Sequence, residues 1–149
     1  MHFKKKPILM FGLMLLFMAL STNAFAALSS NMVFSSTGPF NVNDTFTVQI
    51  QITKAVADMN VTGLDGAINF PKTILQATSI TWDSDATAAG FTQLTLTGVS
   101  TANTNGLVSF TGNSDAGGVD PATFANTVLT ITFKCSANGS GSVGNSSTT

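Results

Sequence analysis

The chain of 149 residues carries six Lys and Arg against seven Asp and Glu, no Tyr, and a single His that stands at position 2. Past residue 26 there is no His, Glu or Arg, so the base that a Ser-His-Asp or Cys-His pair needs near neutral pH is missing. One cysteine cannot build a His/Cys zinc site, and three Lys against seven Asp beyond residue 26, a net charge of −4, argue against nucleic acid and anionic lipid as partners.

The N-terminus reads as a secretory signal peptide. Lys4, Lys5 and Lys6 form a charged start, and Pro7 to Leu20 carry no polar side chain. That run is shorter than the about 20 residues of an ordinary transmembrane span, and Ala24-Phe25-Ala26 supplies a small-x-small cleavage pattern. The expectation is a leader over 1–26 and one exported domain over 27–149, secreted or held at the cell surface. That length suffices for a single core. Cys135 has no intrachain partner, so the domain must be held by packing alone.

Beyond the leader, Thr, Ser, Asn and Gly dominate, and apolar residues recur with period two, the mark of short strands. A first strand is expected over Met32 to Ser36, closed by Thr37-Gly38-Pro39. The cleanest runs from Thr45 to Thr53, where Phe46, Val48, Ile50 and Ile52 alternate with Thr47, Gln49 and Gln51. A third, about Thr62 to Phe70, places Leu64, Gly66, Ile68 and Phe70 on one face and Asp65, Ala67 and Asn69 on the other. Pro71, which cannot donate to a ladder, ends it.

A fourth strand is expected from Leu75 to Trp82, with Trp82 in the core or at its edge, followed by a loop from Asp83 to Gly90. Phe91 to Thr97 alternates with Leu94 and Leu96 on one side. Asn103 to Gly106 reads as a turn. Leu107 to Thr111 reads as a strand with Val108 and Phe110 on one face, and Gly112 to Asn126 as a loop. The last clear strand, Thr127 to Ser136, turns Leu129, Ile131, Phe133 and Cys135 one way. Ala137 to Thr149 reads as a linker or as the start of a further strand at Ser142-Val143. Seven or so one-faced strands are best buried as two packed sheets, so the expected fold class is all-β, a two-sheet β-sandwich.

Three segments, in this order and spacing, resemble the cohesin domain of bacterial extracellular proteins. Val42-Asn43-Asp44-Thr45-Phe46-Thr47-Val48-Gln49-Ile50 is similar to the family's Gly-Asp turn and alternating strand, with Asn43 in place of Gly. Gly63 to Leu75 is similar to the stretch where a strand ends in Tyr-Asp-Pro, here Phe70-Pro71-Lys72. Asn126 to Lys134 resembles a late strand that ends Ile-Thr-Phe-Lys. The resemblance spans roughly Met32 to Val143. It implies a jelly-roll sandwich without cofactor or active site, which binds a dockerin-like protein partner on one sheet. By the same resemblance Asp65 takes the position of a contact Asp, with Asn69 further along the same outward face and Ala67 between them. It also implies a full last strand after the turn at Asn138 to Gly141, of which only Ser142 to Thr149 is present.

Other functions compete on weaker residues. Asp83 with Asp85, or Asp115 with Asp120, are the close carboxylate pairs that glycoside hydrolysis would need, and turn formation explains them without chemistry. Asp83-Ser84-Asp85 and Asn113-Ser114-Asp115 offer oxygen ligands at alternate positions, but no Glu closes a calcium loop, and no metal site is expected. A carbohydrate-binding module would need exposed aromatics, whereas the Phe residues here share faces with other apolar residues and Trp82 alone makes no platform. A structural adhesin or fibre subunit is the third reading.

Overall fold

The computed structural model describes residues 28–54, 61–114, 118 and 127–145. The leader expected over 1–26 lies outside them, as do Asp115 and Asp120. Among these residues eight strands and two short helices follow in order: β1 Leu28–Phe34, β2 Thr45–Lys54, β3 Gly63–Asn69, β4 Leu75–Trp82, α1 Ser84–Ala88, β5 Phe91–Leu96, α2 Val99–Asn105, β6 Leu107–Ser114, β7 Thr127–Cys135 and β8 Gly144–Asn145. One sheet has the order β1-β2-β7-β4 and the other β5-β6-β3-β8, with antiparallel pairing throughout. The two-sheet all-β arrangement expected from the alternation is present.

Period two decides which side chains meet between the sheets. In β2 the residues Phe46, Val48, Ile50 and Ile52 are buried, and on the same face of the neighbouring β7 Leu129, Ile131, Phe133 and Cys135 are buried beside them. Opposite, Leu64, Ile68, Val108 and Phe110 come from β3 and β6. Each such side chain taken fully from water contributes about 1.5–3 kcal/mol before the entropy of ordering it is subtracted. Aromatic contacts tie the layers at one end: Phe40 stacks on Phe46 at 4.5 Å, Phe46 lies 5.6 Å from Phe133, and Phe133 lies 5.0 Å from Phe70. Trp82 meets Phe110 edge-on at 6.5 Å and is buried, as its pattern implied.

Some expectations are corrected. The segment after Trp82 is a loop no longer than Asp83: its carboxylate accepts from the N–H of Asp85 at 2.9 Å and caps α1, which buries Ala86. The turn expected at Asn103 to Gly106 is the end of α2, which closes on Gly106 at φ 70°. A Cβ there would lie 2.9 Å from the carbonyl oxygen of Phe70, so both conformation and space call for glycine. β1 begins four residues earlier than expected and ends at Phe34, and the strand expected to stop at Thr111 continues to Ser114. Asn43, standing where the resemblance has Gly, adopts φ 79°, a conformation Asn tolerates better than most residues.

Candidate functional site

β3 pairs with β6 without a slip from Gly63↔Asn113 to Asn69↔Leu107. Because Leu64 and Ile68 are buried, Asp65, Ala67 and Asn69 must point away from the core, opposite Thr111, Ser109 and Leu107. All three residues expected to contact a partner therefore share the outward face of the second sheet. Asp65 and Asn69 are exposed and Ala67 is half-buried. Four residues of strand separate the Asp65 and Asn69 positions, about 13 Å at the usual rise.

Apart from Leu107, half-buried opposite Asn69, the neighbours on this face are short and hydroxylated. Thr95 and Thr111 share a hydrogen bond at 2.7 Å, and Thr97 both donates to the carbonyl of Ser109, at 3.0 Å, and accepts from its N–H, at 2.9 Å. Such pairs stiffen the surface without raising it, so the face is flat and polar.

One exposed large apolar residue interrupts it. The β5–β6 register slips between Gln93 and Thr95, so Leu94 is an extra residue set beside Thr95 opposite Thr111, and 59% of it is exposed. The alternation expected to turn Leu94 inward with Leu96 is thus broken. The sequence held a signal for this: Phe91 is apolar at an odd position, Leu94 and Leu96 at even ones, and no unbroken strand buries both sets.

Glycine keeps the inner side of β3 close to its neighbour. A Cβ on Gly66 would fall 2.5 Å from Cζ of Phe110, its cross-strand partner, so the ring fills the space a side chain would take. A cavity of about 370 Å³ opens beside β3 and is lined by Ile50, Ile52, Leu64, Ile68, Phe110 and Val128, with Asp65 the one charged residue at its rim. Among the described residues no three of His, Cys, Asp and Glu gather as a metal site would need. Asp83 is engaged as a helix cap and as an acceptor from Thr130 at 3.5 Å. Phe34 is the one exposed aromatic among the described residues, and Trp82 is buried, so no stacking platform for a sugar is formed there.

No family model matches the chain, and no curated protein matches it. Solved structures do. One is the seventh ScaB type I cohesin of Pseudobacteroides cellulosolvens, at 16% identity and TM-score 0.54, with 78% of this chain and 73% of that chain covered. Another is a type I cohesin–dockerin complex of Clostridium thermocellum containing the OlpA cohesin, at 9% identity and TM-score 0.51, with 78% and 81% covered. The chain has a cohesin-like fold.

Proposed function

We propose that this chain is a non-catalytic, exported protein-docking module with jelly-roll topology, which holds a dockerin-like partner on the outward face of its second sheet. The observation that carries this reading is the face itself: Asp65, Ala67 and Asn69 stand in one row of β3 beside a floor of Ser and Thr, with Leu94 raised at its edge. The likeness to a cohesin solved in complex with a dockerin supports the choice of partner. Within this face a carboxylate and an amide orient the partner by hydrogen bonds, and Leu94 supplies the apolar contact that excludes water around them. The absence of His, Glu and Arg past the leader, and of a carboxylate pair free of structural duty among the described residues, supports binding without catalysis.

The test is titration calorimetry of the exported chain against a panel of dockerin domains. Asp65→Lys is expected to abolish binding while the far-UV circular dichroism spectrum stays that of the parent, since Asp65 is exposed and lies on the outer face. Undiminished binding by that variant sinks the reading, as does failure of the parent chain to bind any member of the panel.

A further inference from the structure

Two Asn-Gly steps occur in the sequence, Asn105-Gly106 and Asn138-Gly139. Each holds the parts of an intramolecular reaction. The backbone nitrogen of the glycine is a nucleophile, the side-chain carbonyl carbon of the asparagine is its electrophile, and no glycine side chain hinders their approach. The fold treats the two steps in opposite ways.

At the end of α2 the groups are engaged. The N–H of Gly106 donates to the carbonyl of Ala102 at 2.7 Å, its carbonyl accepts from the N–H of Phe70 at 2.9 Å, and Gly106 is buried. Asn105 is the last residue of the helix, so its main chain cannot turn toward the geometry of attack without giving up both bonds. Asn138 and Gly139 are instead exposed, in the loop between β7 and β8, and among the described residues no group bonds to the N–H of Gly139. Packing requires glycine here. A Cβ on Gly139 would lie 2.7 Å from Cγ2 of Ile74, and one on Gly141 2.6 Å from Cγ of Pro71. The loop thus lies flush on the turn that leads into β4, where the N–H of Ser136 also donates to the carbonyl of Ile74 at 2.8 Å.

We propose that Asn138 is a self-modification site, converted to aspartate and isoaspartate by attack of the Gly139 nitrogen, while Asn105 is protected by its fold. The nitrogen of Gly139 loses its proton and bonds to Cγ of Asn138. The Cγ–Nδ2 bond then breaks, and ammonia leaves with that proton. Water opens the resulting cyclic imide at either carbonyl. Cleavage of the new Cγ–N bond gives aspartate, and cleavage of the original main-chain bond gives isoaspartate, in which the backbone runs through the side chain. The sum exchanges one amide for one carboxylate, consumes one water and involves no oxidation or reduction. Isoaspartate lengthens the main chain by one carbon, for which a loop seated on Ile74 and Pro71 has no room. The strain falls on Val143, packed against the core, and on Gly144 and Asn145, which pair β8 with β3.

The exported chain, incubated in warm neutral buffer, gives the test. Cleavage after Lys72 and Lys134 puts Asn105 and Asn138 on separate peptides, and fragment masses locate each exchange of NH2 for OH. Asn138 is expected to convert at least about tenfold faster than Asn105, which must first give up two hydrogen bonds. In guanidinium chloride the two are expected to react at similar rates, because the difference belongs to the fold. Asn138→Gln, whose carbonyl lies one carbon further out at an exposed position, is expected to keep the emission of the buried Trp82 and to lose the conversion. Equal rates in the folded chain, faster reaction at Asn105, or no gain at Asn138 over a time in which the denatured chain reacts overturns the proposal.

Discussion

Removing the Asn103 side chain tests how far the fold depends on a contact between one helix and one strand edge. Asn103→Ala deletes both bonds to Ala77, whose backbone lies at a position only 2% exposed. A buried N–H or C=O left unpaired costs about 1–3 kcal/mol. Because Asn103 itself is half-buried, water reaches part of the gap, and the low end of that range, about 1–1.5 kcal/mol, applies to each group, about 2–3 kcal/mol together. Alanine is the better helix former by roughly 0.5 kcal/mol, which offsets part of the loss in α2. A net loss of about 2 kcal/mol remains. With a urea dependence of about 1.5 kcal/mol per molar, the midpoint should fall by about 1.3 M. Trp82, the only tryptophan, is 9% exposed and reports the transition through its fluorescence. Thr101→Ala, at an exposed position of the same helix, gains the same propensity without losing a bond and should raise the midpoint slightly. A midpoint for Asn103→Ala within about 0.3 M of the parent refutes the reasoning, since it would mean that the two bonds contribute no more than helix propensity does.

Two further substitutions probe positions where backbone and neighbour leave no room. A Cβ on Gly112 would lie 2.5 Å from Cη2 of Trp82 and 3.2 Å from the carbonyl oxygen of Thr92, so Gly112→Ala should cost about 1–3 kcal/mol and shift the native tryptophan emission. Gly63→Ala, whose Cβ would meet its nearest neighbour at 3.8 Å, should stay within about 0.5 kcal/mol of the parent in the same urea titration. Asn43→Val places a β-branched residue at φ 79° and should lose about 1–2 kcal/mol, whereas Asn43→Gly should leave the midpoint nearly unchanged.

The strands were legible where alternation and its stops coincide. β4 is bounded as the sequence implied, because Pro71 and its turn precede it and Asp83 follows it, and β7 starts at the expected Thr127 and ends one residue before the expected Ser136, because Leu129, Ile131, Phe133 and Cys135 leave no other periodicity. The two helices were not legible. Ser-Asp-Ala-Thr-Ala and Val-Ser-Thr-Ala-Asn-Thr-Asn have weak intrinsic preference for helix, and what holds them is tertiary: the Asp83 cap, the Asn103 bonds to β4, and burial of Ala86 and Ala102. The shared face of Asp65, Ala67 and Asn69 followed from period two alone. Its surroundings did not, because the register against β6 and the bulge that sets Leu94 beside Thr95 are properties of pairing between distant segments.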